Sequence, residues 1–191
     1  MTPQTPSHPK TTGEERLPGD LDPHELIERM IRVDHAGEFG AVRIYEGQLA
    51  ILKAGPEAEA IRHMAAAEQE HLATFSRLMC ERRVRPTALS PIWSVAGYAL
   101  GMATALLGPK AAMAATEAVE EVIDEHYAGQ AAMLGEDEKD LRGVIEKYRD
   151  DEIAHRDTAL SHGAREAPAH ALLVSAIKAG SKLAIWLSER I

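Results

Sequence analysis

From Leu21 onward, apolar side chains recur at alternating three- and four-residue steps, the spacing that gathers them on one face of an α-helix. Ile61, Met64, Ala65, Leu72, Phe75, Leu78 and Met79 make one such stripe; Leu141, Val144, Ile145, Tyr148 and Ala159 make another. Between stripes the chain carries start and stop signals. Asp22 stands as an N-cap before Pro23, with Glu25 placed to complete a capping box, so a first helix opens there. It runs to Gly55-Pro56, where a second helix begins that continues to about Arg83, ahead of Pro86. Residues 91–108 form an uncharged third segment. Gly108-Pro109 restarts a helix reaching Gly135, a fifth covers roughly Glu138 to His162, and a sixth starts near Pro168. The pattern predicts six helices and an all-α fold, with residues 21–191 as a single domain. Residues 1–20, rich in Pro, Thr and charge and lacking the apolar core of a secretory signal, read as a disordered leader.

Four positions break the hydrophobic pattern in the same way. Glu68 and His71 fall inside the stripe of the second helix, where an aliphatic residue belongs, and Glu152 and His155 do the same in the fifth. Glu120 lies among Met113, Thr116, Ile123, Tyr127 and Leu134, and Glu38 among Ile27, Met30, Ala41, Tyr45 and Leu52. The two E-x-x-H motifs are 84 residues apart and Glu38 and Glu120 are 82 apart, so the chain repeats itself. Each half reads as long helix, ligand helix, apolar helix. Two halves build a four-helix bundle with an approximate internal twofold, leaving one apolar helix per half as an appendage.

Burying an unpaired carboxylate costs several kcal/mol, and the stripes offer few inward Lys or Arg to compensate. Metal ions supply the missing charge. A Glu and a His three residues apart share a helix face, so each pair can grip one ion while Glu38 and Glu120 bridge or complete the shell. One E-x-x-H alone is common by chance; two copies on apolar stripes, each with an upstream stripe Glu, form a specific signal.

Composition narrows the chemistry further. Apolar residues make up 45% of the chain but aromatics only 4%, and Ala and Leu dominate, which favours helix over strand. A net charge of -9 without a Lys/Arg-rich run argues against nucleic acid as a partner. Cys80 is the only cysteine, which rules out an intrachain disulfide, implies a reducing compartment, and leaves nitrogen and oxygen as metal donors. Carboxylate-rich ligation with one imidazole per ion suits iron or manganese, whereas structural zinc favours thiolates.

Neighbouring residues admit more than one reading. Glu121 adjoins Glu120 but falls off the stripe, as a solvated helix-face charge would. His126 and Tyr127 flank the site as candidate catalytic groups, and a hydrogen-bonded structural His is the plain alternative. Asp151 is placed to receive the outer N–H of a ligating His, and Asp34 lies one turn before Glu38. Tyr45 and Tyr148 read as core. Segment 91–108 is barely long enough to span a bilayer and is diluted by Gly and Ala, so a re-entrant or surface-lying helix fits it better. The closing helix, with Lys178 and Lys182 one turn apart and Trp186 beyond, has the pattern of an interfacial membrane anchor. Two extra core helices are the alternative.

The motif R-V-D-H-A-G-E-F-G-A-V-R-I-Y (Arg32 to Tyr45) resembles the opening signature of the demethoxyubiquinone hydroxylase family. R-V-R-P-T (Arg83 to Thr87), T-A-L-L-G (Thr104 to Gly108), A-V-E-E (Ala118 to Glu121), Y-R-D-D-E-I-A-H (Tyr148 to His155) and the ending L-S-E-R-I resemble further family blocks, so the likeness runs from about Leu26 to Ile191. It implies a ferritin-like bundle with two additional apolar, membrane-associated helices. It also implies a di-iron monooxygenase that uses O₂ to hydroxylate a polyprenylated demethoxyquinol in ubiquinone biosynthesis. Carried over, the ligands of the two iron ions are Glu38, Glu68, His71, Glu120, Glu152 and His155, and His126 matches a family histidine near the metals. The resemblance further implies reduced nicotinamide or the quinol itself as electron source, a peripheral place on the cytoplasmic face of the cell membrane, and either homo-oligomers or partners from the same pathway. The rivals are a ferroxidase or iron-storage bundle, which needs neither apolar segment, and a lipid-binding scaffold without metal.

Overall fold

The computed structural model describes residues 22–191, so the leader expected at 1–20 lies outside the described residues. The first helix, α1 (Pro23–Ile51), opens as its sequence dictates. The Asp22 carboxylate accepts the His24 N–H at 2.9 Å, and the Glu25 carboxylate accepts the Asp22 N–H at 3.1 Å, a complete capping box. Proline in the first turn also opens α2 (Pro56–Arg82), α3 (Ser90–Leu106) and α4 (Pro109–Met133), while α5 (Lys139–Ser161) and α6 (His170–Ser188) follow single 3₁₀ turns at Glu136–Glu138 and Ala164–Glu166. Among the described residues there is no strand. The helix ends fall within a few residues of those expected; the first stops at Ile51 and the fourth at Met133, short of the glycines that punctuate them.

The four long helices pair as α1 with α2 and α4 with α5, and the pairs come together as a ferritin-like four-helix bundle. Helix α4 is the most enclosed element. Residues 111–120 are buried around the full circumference, because Ala111, Ala112, Ala114, Ala115 and Ala118 let α3, α5 and α6 crowd against it. The α1–α2 and α4–α5 pairs meet each other through side chains more than through close backbones, which leaves the bundle axis to long polar groups.

Helix α3 lies against α1 and α6 against α4, one on each half. The α1–α3 contact is backbone on backbone. A Cβ on Gly101 would lie 2.0 Å from the Ile44 carbonyl oxygen, and one on Gly47 would lie 2.2 Å from that of Tyr98. Gly97 and Gly101 of segment 91–108 therefore serve close helix packing, whatever they subtract from its hydropathy. Helix α6 is held along α4 by ion pairs of Lys178 with Glu121 at 2.6 Å and Lys182 with Glu125 at 2.8 Å. The two lysines therefore tie α6 to α4, Lys178 largely covered and Lys182 exposed. The first pair also gives Glu121 a cationic partner in place of solvent alone. At its end, α6 meets α3 where Trp93 Nε1 donates to Ser188 Oγ at 2.9 Å, and α1 through the Arg29–Glu189 ion pair.

The outer faces of both appended helices are apolar and exposed, with Ile92, Val95 and Leu106 on α3 and Leu172, Leu183 and Trp186 on α6. By length and composition α6 is long and apolar enough to cross a membrane; α3, at 17 residues, is shorter than such a span requires.

Candidate metal centre and its cavity

The helical phase that makes a stripe brings all six predicted ligands to the bundle axis: Glu38 from α1, Glu68 and His71 from α2, Glu120 from α4, and Glu152 and His155 from α5, each 6% exposed or less. They form two overlapping clusters. One is Glu38, Glu68, His71 and Glu152; the other is Glu68, Glu120, Glu152 and His155; within each, one donor atom per residue lies within 4.8 Å of all the others. Glu68 and Glu152 belong to both clusters, whereas Glu38 and Glu120 belong to one each. Of the two roles open to Glu38 and Glu120 from spacing alone, completing a shell agrees with this geometry better than bridging.

The donor atoms have no other task. Glu38 Oε2, both oxygens of Glu68 and Glu152, Glu120 Oε2, and Nδ1 of His71 and of His155 are buried without a hydrogen-bond partner. His71 Nδ1 stands 3.3 Å from Glu152 and 3.6 Å from Glu38 and Glu68; His155 Nδ1 stands 2.9 Å from Glu68 and 3.5 Å from Glu152. Such concentrated, unsatisfied acceptors fit hard divalent cations at both clusters. On its outer side His71 Nε2 meets Asp151 at 3.1 Å, which fixes the tautomer that leaves Nδ1 free.

Proton affinities describe the same strain. Burial, reinforced by the charge of Glu68, pushes Glu38 well above the usual carboxylate range, and burial with the charges of Glu152 and Glu68 does likewise for Glu120. Burial also opposes ionisation of Glu68, but the His155 and His71 rings close beside it prevail and hold it at about 2. For His155 burial favours the neutral ring, yet the Glu152 and Glu68 carboxylates close beside it lift it to about 9, and His71 is raised further by Glu152, Glu38 and Glu68. Four carboxylates on one axis need positive charge, and without it burial favours the protonated forms of Glu38 and Glu120.

Two tyrosines brace the cluster reciprocally. Tyr45 on α1 donates to Glu120 on α4 at 2.5 Å, and Tyr127 on α4 donates to Glu38 on α1. Tyr45 was expected as core, and it is 1% exposed, but its hydroxyl orients a cluster carboxylate. The signal lay in the repeat: each tyrosine follows its glutamate by seven residues, two turns along the same face, at both Glu38 and Glu120. Tyr148 stacks on His71 with ring centroids 3.9 Å apart.

Beside the cluster runs an apolar cavity of about 590 Å³ between α1, α3, α4 and α6, lined by residues such as Ile44, Trp93, Leu100, Ile123 and Ile177. Tyr127 connects the two spaces, since it lines the cavity and hydrogen-bonds Glu38. His126 also lines the cavity and belongs to neither cluster; its Nε2 lies 3.3 Å from Asp34 Oδ1 and 2.9 Å from Gln130 Nε2. Asp34, fully buried, faces this pair rather than supporting a cluster histidine as Asp151 does. Gln130, which the sequence did not single out, donates to it at 2.7 Å.

A family model described as ubiquinone biosynthesis protein COQ7 matches residues 25–188. The chain belongs to this family. Among its relatives, a 3-demethoxyubiquinol 3-hydroxylase of Rhodospirillum rubrum is 56% identical over 183 residues, covering 95% of this chain and 86% of the relative. The Homo sapiens protein named NADPH-dependent 3-demethoxyubiquinone 3-hydroxylase, mitochondrial, is 50% identical, covering 86% of this chain and 78% of the relative. The 5-demethoxyubiquinone hydroxylase, mitochondrial, of Saccharomyces cerevisiae is 41% identical over 87% of this chain and 78% of its own length. The resemblance drawn from Arg32 to Tyr45 and the later blocks is thereby established as kinship.

Proposed function

We propose that this protein is a hydroxylase of a polyprenylated demethoxyubiquinol in ubiquinone biosynthesis, acting with O₂ and two iron ions held by Glu38, Glu68, His71, Glu120, Glu152 and His155. The observation that carries the reading is the joining of a dry-walled cavity to a carboxylate-rich centre through one residue, Tyr127. When bound, iron supplies the oxygen activation that side chains cannot. The protein's own groups do the rest. Glu68 and Glu152, common to both clusters, would hold both ions, and Glu38 and Glu120 would hold one each, with Tyr127 and Tyr45 fixing the orientation of these last two carboxylates. Ile44, Leu100, Ile123 and their neighbours exclude water and hold an aromatic ring by apolar contact. His126, in the cavity wall and hydrogen-bonded to Gln130, is positioned to exchange a proton with a ring oxygen.

Residues 21–191 act as one unit in this reading. A polyprenyl tail is nearly insoluble, so substrate is met at a bilayer, and the exposed apolar faces of α3 and α6, which also wall the cavity, form the docking side. The expected place is the cytoplasmic face of the cell membrane. A ferroxidase shares the clusters but gives the cavity no use. Quinone-lipid profiling of cells lacking the protein tests the proposal: a demethoxyquinone should accumulate and clear on re-expression. A normal quinone profile in such cells would overturn it.

A further inference from the structure

The polar side chains of the cavity wall have distinct fates. The Tyr127 hydroxyl is donated to Glu38, and the Ser188 hydroxyl oxygen accepts the Trp93 indole N–H. Asp34 differs. Its side chain is fully buried, its Oδ1 accepts the Gln130 amide at 2.7 Å and lies 3.3 Å from His126, and its Oδ2 is buried with no partner. A buried acceptor without a donor is destabilising. Beside an apolar cavity, the missing donor is one that a ligand brings.

The fold itself does not require an acid here. The internal repeat matches α1 to α4 at an offset of 82, pairing Glu38 with Glu120, Tyr45 with Tyr127 and Gln48 with Gln130. On that offset Asp34 pairs with Thr116, which is not in the cavity wall, and His126 pairs with Ile44, which is. The glutamines diverge to suit: Gln48 donates to the Ala112 carbonyl at 3.0 Å, whereas Gln130 donates to Asp34. Asp34 and His126 are thus neighbouring departures from a repeated scaffold, and both line the same cavity.

We infer that Asp34 selects the redox form of the ring that enters the cavity, with Oδ2 accepting a ring hydroxyl of the quinol and discriminating against the quinone, which presents carbonyl oxygens instead. This rests on the quinol-hydroxylase reading above. Gln130 and His126 hold the carboxylate in register, so Asp34 is a positioning and specificity residue, and the reacting carbon lies elsewhere on the ring. A site built to bond a hydroxyl discriminates strongly against an analogue that lacks it, because its own polar group is then left unpaired.

The test is a binding titration of the full chain loaded with Zn(II), which exchanges no electrons with the ring, under argon, using a short-tailed demethoxyquinol and its matching quinone. Wild-type protein should bind the quinol about 10- to 100-fold more tightly, the range of one charge-assisted hydrogen bond. Asp34→Asn keeps the size and puts an amide where the carboxylate accepted, so the preference should fall to parity or invert while two metal ions remain bound. A purely structural role would weaken both ligands alike. Should the variant not fold, the quinol dimethyl ether decides on wild-type protein, where it should bind no better than the quinone. Equal affinity of wild-type protein for quinol and quinone, or a preference kept by Asp34→Asn, overturns the inference. Failure of both rings to bind wild-type protein overturns the hydroxylase reading as well.

Discussion

Replacing Gly101 by Ala sets two ordinary effects against each other. In a helix interior Ala is favoured over Gly by about 1 kcal/mol, so propensity alone predicts a stabilised protein. Packing predicts the opposite. The new Cβ would sit 2.0 Å from the Ile44 carbonyl oxygen, about 1.4 Å short of ordinary contact at 3.4 Å, and 2.9 Å from the Gln48 nitrogen. Both obstacles are backbone and cannot rotate aside, so α3 must lift from α1. Overpacking of this kind costs typically 1–3 kcal/mol, and a backbone clash belongs at the upper end. Net destabilisation of about 2 kcal/mol follows, or a melting temperature lower by about 4–8 °C for a chain of this size. Gly143 on α5 has nothing within 4 Å of a built Cβ, so Gly143→Ala should raise the melting temperature by about 2–4 °C. Because Trp93, Ala96, Gly97 and Leu100 of α3 line the cavity, Gly101→Ala should also raise the quinol KM several-fold while iron content stays at the wild-type level. Differential scanning calorimetry, iron analysis and steady-state kinetics read all three. A Gly101→Ala protein that melts at or above the wild-type temperature with an unchanged KM would refute the packing argument.

Glu68→Ala or Glu152→Ala should strip most of the iron and abolish hydroxylation while circular dichroism stays helical, because each residue belongs to both clusters; full iron content in either variant would remove it from the ligand set. Glu121→Gln loses a partly exposed ion pair to Lys178, so stability should change by less than about 1 kcal/mol and most activity should remain; a site emptied by Glu121→Gln but not by Glu120→Gln would show that the helix phase is wrong. Changing Ile92, Val95 and Leu106 together to Gln removes exposed apolar side chains, each contributing about 1.5–3 kcal/mol when buried in lipid. Liposome flotation and long-tailed quinol turnover should fall while iron content and turnover of a short-tailed quinol persist, and unchanged flotation would show that α3 does not face the membrane.

The buried Glu/His cluster was legible because a charged residue on an apolar stripe contradicts the hydrophobic period, and the contradiction occurs twice at nearly equal spacing. Helix bounds were legible from Asp22, Pro56 and Gly108-Pro109, whose chemistry is local. What lay hidden depends on side chains that cross between helices. Tyr45 looks like a core residue, and Tyr127 like a flanking candidate without a partner, until their hydroxyls are seen to reach the opposite half. Lys178 and Lys182 form an amphipathic signature whose meaning depends on the neighbour, and Glu121 and Glu125 on α4 turn it into an intramolecular tie. Leu100 illustrates the same limit within one uncharged segment: it is half-buried in the cavity wall, whereas Ile92 and Val95 point outward. Low sequence contrast on α3 cannot assign its faces; the glycine contacts with α1 do.

The most direct measurement is a single-turnover reaction of the iron-loaded, reduced protein with demethoxyubiquinol under ¹⁸O₂, with the product ring analysed by mass spectrometry and the iron counted per chain. The proposed pair of irons beside the apolar cavity predicts two irons per chain and one ¹⁸O atom in the new ring hydroxyl. An unchanged ring with rapid oxidation of added Fe(II), or a hydroxyl oxygen drawn from water, would contradict it.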